Sequence, residues 1–332
     1  MIQHPAVIAL TASSVAVSLM LLYAGWYGMK ILRDWEPGSG SERQLWLERR
    51  TYLVSTLVGY ALVFQILSLL LYIYTADELH SLFTGAMCAA GTLNADGYGY
   101  PTLALKVAGC ILAGVWLVIN HADTRGYDYP LIKVKYALLA LLAPVVVVEA
   151  YLQFKFFSGL KGDLITSCCG SLFSSDRPGI AGDIAGLPPG AMLYAFYAVA
   201  AMTFIAGLVF YMEGRGGYLF SLLSAILFLA GAAALISSFC LYFYELPTHH
   251  CPFCILQREY GYAGYALYAA LLGGVVAGTG AGALMPSRKK GSLLKAVPAL
   301  QRRLAGAALL CYLVFTLIVT YRMLSTPFTA GV

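Results

Sequence analysis

Eight apolar runs, each roughly 20 residues long, dominate the 332-residue chain. A run of about 20 apolar residues is long enough to cross the hydrocarbon core of a bilayer as a helix. Because lipid offers no hydrogen-bond partners to the backbone, each crossing segment must satisfy its own polar groups, as an α-helix does. We therefore predict an all-α integral membrane protein of about eight transmembrane helices, at 7–29, 52–75, 101–120, 131–153, 190–212, 218–243, 260–281 and 304–325.

The composition agrees with a membrane location. Hydrophobic residues make up 60% of the chain and charged residues only 11%, which is more apolar surface than a soluble fold can bury. The net charge of +5 comes mostly from loops between the spans and needs no nucleic-acid partner to explain it. The expected surroundings are the lipid bilayer.

Lysine and arginine residues are concentrated in alternate loops, and this bias predicts the orientation of a membrane protein. The loops at 30–50, 121–135 and 282–303, together with Arg215, hold 15 of the 21 basic residues. We assign these loops to the cytoplasmic side of the membrane, with both termini on the outer side. No basic residue precedes the first span, so we expect a retained helix there rather than a signal peptide.

Five of the eight cysteines fall in loops on the predicted outer side, at Cys88, Cys168, Cys169, Cys251 and Cys254. A thiol that faces an oxidising compartment does not usually stay reduced unless it has a chemical role. This clustering therefore indicates thiol–disulfide chemistry or soft-metal binding. Cys110 and Cys311 lie inside spans and are interpreted as small packing residues.

The stretch 249–260 reads HHCPFCILQREY and raises three interpretations. Covalent haem attachment needs a histidine directly after the CxxC pair, and Ile255 stands there, so haem is excluded. A zinc or copper site is the second interpretation, with Cys168 and Cys169 as further ligands. Four side chains of suitable ligand type lie within this stretch: His249, His250, Cys251 and Cys254.

A redox-active disulfide is the third interpretation of the same stretch. Cys251 and Cys254 directly precede the predicted seventh span, so we expect Cys254 near a helix N-terminus, which stabilises a thiolate. Arg258 lies four residues on, one turn along the same predicted helix face. There it would hold the thiolate or polarise a quinone carbonyl, or else it would only extend its charge to the membrane surface.

The order of motifs along 131–281 resembles the vitamin K epoxide reductase family. In that family a loop cysteine precedes an aromatic or aliphatic residue and two serines, then a Gly-x-Pro helix start and finally a CxxC pair. The matching residues are Cys169, Phe173, Ser174, Ser175, Gly186, Pro188, Cys251 and Cys254. The segment CPFCILQR is also similar to the CxxC-Ile-x-x-Arg segment of bacterial disulfide-bond protein B, a quinone-reducing membrane oxidoreductase.

This resemblance implies a four-helix core in which thiols pass electrons from a loop to the CxxC pair and on to a quinone (menaquinone or ubiquinone) of the membrane pool. Cys169 would exchange with Cys251, and Cys254 would face the quinone. Arg258 and Tyr260 are the candidate quinone-binding residues.

The resemblance also implies a division of the chain. Residues 131–281 would form the four-helix core, and residues 1–130 a three-helix membrane region whose outer loop contains Cys88. Residues 282–332 would form a basic cytoplasmic loop and the final span.

The chain departs from the family pattern at its loop cysteines. The family carries two of them several residues apart, whereas Cys168 and Cys169 are adjacent and Lys161 stands at the expected upstream position. Cys88 is the best candidate to replace the missing cysteine. Either Cys88 or Cys168 would meet a separate periplasmic thioredoxin-like partner, because no thioredoxin-like domain follows the last span, as it does in many bacterial members.

Two alternatives to the oxidoreductase stay open. The chain could be a membrane protein that binds or transports a soft metal (copper, zinc or mercury), or a non-catalytic membrane subunit of a redox complex. The extra spans would allow a further membrane subunit to dock. Within the spans, we expect Lys106 to extend towards the outer surface, and Glu149 requires a polar neighbour that the sequence does not identify.

Overall fold

The computed structural model describes residues 3–36, 39–161, 166, 173 and 180–328. Helices joined by turns make up this part of the chain, and it contains no strand. The α-helices, numbered over these residues, are α1 Pro5–Asp34, α2 Glu42–Glu78, α3 Ala89–Asn94, α4 Gly99–Asp123, α5 Ile132–Gly159, α6 Ile180–Ala185, α7 Pro189–Glu213, α8 Gly217–Ala234, α9 Cys240–Tyr244, α10 Ala263–Ala283 and α11 Ala296–Ser325.

Eight helical segments within the described ranges are long and apolar enough to cross a membrane. This confirms the predicted all-α, multi-pass class. Several helices run past their apolar runs, most of all Glu42–Leu82, which has 41 residues where 52–75 was predicted. Helical hydrogen bonding continues into polar residues beyond the apolar run. A hydropathy pattern does not detect those residues, so the predicted helix was too short. The side on which each terminus lies stays a prediction.

The helices fall into two compact units, and each unit combines separate parts of the chain. The first unit contains Met1–Thr75, Asp96–Gly162 and Ala283–Leu300, and the second contains Ala76–Ala95, Asp163–Gly282 and Gln301–Val332. The core predicted at 131–281 would group spans four to seven. The structure places α5 in the first unit and groups α7, α8, α10 and most of α11 in the second, which also holds Cys88, Cys251 and Cys254. The predicted division of the chain stays a prediction.

In the first unit, α5 packs along α1 and α4. Gly28 allows the close approach of α1 and α5, because a Cβ atom there would lie 2.7 Å from Cδ1 of Tyr136. The Tyr136 hydroxyl lies 3.3 Å from the Ser55 hydroxyl, which gives a phenol inside the bundle a polar partner.

A buried ion pair joins α2, α4 and α5 within the first unit. Lys106 Nζ lies 2.6 Å from Glu149 Oε1 and donates to Ser68 Oγ at 3.0 Å, and Gln65 donates to the second carboxylate oxygen of Glu149. A charged side chain inside a membrane requires such partners. The expected extension of Lys106 to the outer surface is wrong, since the residue is 1% exposed.

A second buried ion pair joins the end of α4 to the start of α5. Lys135 Nζ lies 2.8 Å from Asp123 Oδ2 and 3.1 Å from Asn120 Oδ1. The other carboxylate oxygen of Asp123 accepts the backbone N–H of Leu131 at 2.8 Å. Lys135 was included among the cytoplasmic loop charges predicted from the sequence. In the structure its charge is instead compensated inside the protein by Asp123.

In the second unit, small residues let α8 and α10 approach closely, as is common between membrane helices. A Cβ atom on Gly278 would lie 2.5 Å from Cβ of Ser224, and one on Gly282 would lie 2.3 Å from Cβ of Ser221. Tyr312 of α11 donates its hydroxyl to the Ser224 carbonyl at 2.7 Å. These contacts hold three spans of the unit together.

We expect Lys106→Met to destabilise the protein by roughly 3–5 kcal/mol, because it leaves the Glu149 carboxylate buried without its cation. The measurement is the thermal unfolding midpoint of the purified protein in detergent. The double variant Lys106→Met, Glu149→Gln should recover part of the loss. Lys155→Met is the matched control, since Lys155 is exposed on α5. Equal midpoints for Lys106→Met and Lys155→Met would contradict the role of the pair.

Candidate functional site: a buried cluster of three cysteines

Three cysteines from two distant parts of the sequence meet in the second unit. The sulfur atoms of Cys88, Cys251 and Cys254 all lie within 4.8 Å of one another, and Cys88 Sγ is 3.7 Å from Cys251 Sγ. Their exposed fractions are 0%, 0% and 6%. A disulfide needs the sulfurs to close to about 2.05 Å, so a small movement suffices for exchange among the three.

The two histidines beside the CxxC pair do not belong to this sulfur cluster. His250 Nδ1 lies 2.9 Å from the carbonyl oxygen of Ile236, and the His249 ring packs edge-on against Tyr244 at 4.3 Å between centroids. Of the predicted metal ligands, the structure brings together Cys251 and Cys254 and adds Cys88. Cys168, Cys169, Ser174 and Ser175 lie outside the described residues.

His250 supports the irregular end of the sixth span. Residues Leu235–Phe239 form a π-helical turn between α8 and α9, and such turns are frequent at functional sites. The carbonyl of Ile236 in this turn accepts from the His250 ring, and Ser238 donates to the Pro189 carbonyl at 3.1 Å. His250 therefore has a structural role, which explains one of the twin histidines.

The CxxC pair does not open a helix, contrary to the sequence expectation. Cys254–Leu256 and Arg258–Tyr260 are separate 3-10 turns, divided by an extended Gln257. Gly261 and Tyr262 then take left-handed backbone conformations, with φ of +62° and +56°, and these interrupt the chain before α10 begins at Ala263. The predicted stabilisation of Cys254 by a helix N-terminus is therefore wrong.

The same turns separate Arg258 from Cys254. Arg258 lies in the second 3-10 turn and is exposed, so the two residues do not share a helix face. Its predicted position one helical turn from the thiol is wrong, and its predicted role towards a quinone stays a prediction.

Side chains from two spans hold the backbone of the CxxC pair. The hydroxyl of Tyr244 donates to the Cys251 carbonyl, and the thiol of Cys240 donates to the same oxygen at 3.5 Å. The hydroxyl of Tyr268 donates to the Pro252 carbonyl. These contacts fix the position of Cys251 relative to α9 and α10.

A second set of hydrogen bonds holds the segment that carries Cys88. Asp77 Oδ1 accepts the backbone N–H of Ala89 at 3.0 Å, and Gln257 donates to the Met87 carbonyl at 2.9 Å. The Gln257 contact links the CxxC segment directly to the residue before Cys88. In addition, the backbone N–H of Thr166 donates to the Thr84 carbonyl at 3.0 Å, which joins Thr166 to the same loop.

Aromatic side chains lie around Cys254. The ring of Tyr260 packs edge-on against Tyr244 at 4.8 Å, and Phe173 and Phe253 lie 6.4 Å apart. Burial raises the pKa of the Tyr260 hydroxyl, and the nearby Cys254 raises this pKa further. Tyr260 therefore keeps its proton at neutral pH and can donate a hydrogen bond beside Cys254.

The residues that position the thiols were not predicted from the sequence. Tyr244 and Tyr268 carried a usable signal, because a phenol within an apolar span needs a hydrogen-bond partner. Asp77 and Gln257 carried no such signal, because polar residues are common at the ends of spans and do not by themselves indicate a role.

No protein-family model, curated protein or solved structure matches this chain. The resemblance to vitamin K epoxide reductases therefore rests on the motifs quoted above and stays a prediction.

Oxidation of a Cys254→Ser variant should join Cys88 to Cys251, because their sulfurs are 3.7 Å apart and the competing CxxC bond is removed. Peptide mapping by mass spectrometry after mild oxidation and alkylation detects this product. Cys110 and Cys311 should remain alkylated in the same sample and serve as internal controls. A Cys169–Cys251 peptide with Cys88 fully alkylated would contradict the expectation.

Proposed function

We propose that this protein is a membrane thiol–disulfide oxidoreductase, which oxidises a dithiol substrate and delivers the electrons to a quinone. The observation that carries the proposal is the cluster of Cys88, Cys251 and Cys254. Three sulfurs within 4.8 Å of one another, buried in a multi-pass membrane protein, suit transfer of a disulfide from one pair of thiols to the next. The motif order of the sequence supports the same proposal independently.

The geometry supports a sequence of balanced exchange steps. The Cys251–Cys254 dithiol loses two electrons and two protons to a quinone, which leaves as hydroquinone. The Cys88 thiolate then attacks Cys251, so a Cys88–Cys251 disulfide forms and Cys254 is released as a thiolate. A thiolate of the substrate attacks Cys88 and releases Cys251. The second thiol of the substrate then attacks the substrate sulfur that is bound to Cys88. This forms the substrate disulfide and returns Cys88 to the reduced form.

The residues beside Cys254 fit a quinone as the electron acceptor. A quinone is a flat apolar ring with two carbonyl acceptors, and Phe253 and Tyr260 supply aromatic surface and a hydroxyl donor there. Arg258 is exposed, and we propose that it contacts a quinone carbonyl. We propose menaquinone or ubiquinone of the membrane pool as the acceptor.

The substrate dithiol is proposed to be a periplasmic thioredoxin-like protein, with the cluster on the periplasmic side of a bacterial inner membrane. Cys88 is fully buried, so the substrate must reach it through an opening of the 83–89 segment or through an intermediate thiol. Cys168 and Cys169 are candidates for that thiol, and the exchange of Cys169 with Cys251 suggested by the family pattern belongs to the same proposal.

Quinone reduction by a reduced dithiol partner should fall at least 100-fold in Cys254→Ser and Cys251→Ser, because exchange requires both sulfurs. The assay follows quinone absorbance with the full chain reconstituted in lipid vesicles. Cys88→Ser should lose turnover of the dithiol partner to the same degree. Cys110→Ser is the matched control, because it removes a buried thiol within a span, and its turnover should be unchanged. Unchanged turnover in Cys254→Ser would rule out the proposed reaction.

A second candidate function is soft-metal binding, and the same sulfur cluster favours it. Three thiolates bound to one metal at about 2.3 Å would lie about 4 Å from one another, close to the arrangement of Cys88, Cys251 and Cys254. Such a sulfur-only site suits Cu(I). The ligands would therefore be these three cysteines rather than the predicted His249 and His250.

Metal content distinguishes the two candidate functions. If the protein binds copper or zinc, it should purify with one equivalent, and Cys88→Ser should lose that metal. If the protein is an oxidoreductase, metal should be substoichiometric, and the thiol count should fall on incubation with quinone. Elemental analysis and thiol titration on the same sample measure both quantities. His249→Ala is the control, since the metal cluster described here does not use that ring.

A further inference from the structure

Besides its two buried ion pairs, the first unit contains a polar pocket. An open pocket of about 400 Å³ lies between the end of α1 and the start of α2. Its lining combines indole rings with charged side chains at the point where two spans end. The residues that matter here are Trp26, Lys30, Arg33, Asp34, Arg43 and Trp46.

The pocket has an excess of positive charge. Arg43 pairs with Asp34 at 2.5 Å, while Arg33 Nε lies 3.9 Å from the same carboxylate. The lining thus holds three cationic side chains and one carboxylate, and Arg43 is the cation nearest to that carboxylate. Lys30 and Arg33 remain available to an anion, and the Arg33 side chain is 88% exposed.

The two walls of the pocket repeat the same pairing of a cation with an indole one helical turn away. On α1, Lys30 Nζ lies 3.7 Å from the ring centroid of Trp26. On α2, the Arg50 guanidinium lies 4.2 Å from the ring centroid of Trp46. Cation–π contacts of this kind orient the charged groups along the indole faces.

A buried contact beneath the pocket fixes the spacing of its walls. Tyr27 donates its hydroxyl to the Leu47 carbonyl at 2.9 Å, and its ring lies 6.2 Å from that of Trp46. The Arg43–Asp34 pair joins the same two helices at the mouth. The pocket is therefore preformed and does not need a ligand to assemble it.

We propose that this pocket binds the phosphate headgroup of an anionic phospholipid. Indole rings at the ends of spans lie at headgroup level, and Trp26 and Trp46 are 51% and 43% exposed. A phospholipid places its phosphate on Lys30 and Arg33 and its glycerol and acyl carbons on the indoles. A free phosphate would leave the indoles uncovered, and the cation of a choline headgroup would be repelled.

Tryptophan fluorescence of the full chain in phosphatidylcholine vesicles tests the proposal. Phosphatidylglycerol with brominated acyl chains should quench Trp26 and Trp46 at a lower mole fraction than brominated phosphatidylcholine does. Trp35 and Trp116 are buried and provide a constant background. In the double variant Lys30→Gln, Arg33→Gln, the mole fraction of phosphatidylglycerol for half-quenching should rise about 25-fold, at about fivefold for each charge removed.

Arg302→Gln, Arg303→Gln is the matched control, because it removes two exposed cations at the start of α11 and should leave quenching unchanged. Millimolar inorganic phosphate should not alter the fluorescence of the protein in lipid-free detergent. Equal quenching by both lipids would overturn the proposal, and so would equal behaviour of the two double variants. A response to phosphate alone as large as that to the lipid would show that the pocket binds the free anion.

Discussion

The structure depends on one constraint, which is that a polar group within a membrane span must find its partner inside the protein. Lys106 and Glu149 satisfy it through each other and through Gln65 and Ser68. The phenols of Tyr244 and Tyr268 satisfy it by donating to carbonyls of the CxxC segment. The interaction that makes a tyrosine acceptable inside a span is therefore also the interaction that holds the thiols in place.

The CxxC segment can be irregular because these side chains support it. A chain with two 3-10 turns and two left-handed residues has backbone groups without regular helical partners, and such a chain is costly in lipid. Here the carbonyls of Cys251 and Pro252 accept from neighbouring spans, and Ile236 in the π-helical turn accepts from His250. The site thus combines an irregular turn of the sixth span with the loop before the seventh span, and side chains of the spans and of this loop satisfy these carbonyls.

The sequence predicted those features that depend on local pattern. Apolar runs of about 20 residues predicted the eight spans, and the CxxC spacing identified Cys251 and Cys254. The contact between Cys88 and Cys251 depends on packing between segments 163 residues apart, and no local pattern reports such packing. The start of α10 was placed too early because left-handed conformations at Gly261 and Tyr262 do not affect hydropathy. The role of His250 was hidden because its partner is a backbone carbonyl.

Cys251 and the segment of Cys88 are anchored differently, and this difference bears on how the proposed dithiol substrate could reach them. Cys251 is fixed through its own carbonyl by buried side chains of α9. The residues flanking Cys88 are fixed by Asp77 and Gln257 at their backbone atoms, and the Gln257 side chain is only partly buried. A hydrogen bond in contact with solvent is exchanged for one to water at little net cost. If a substrate gains access by local opening, the segment of Cys88 is therefore the part that moves, while the CxxC pair keeps its position.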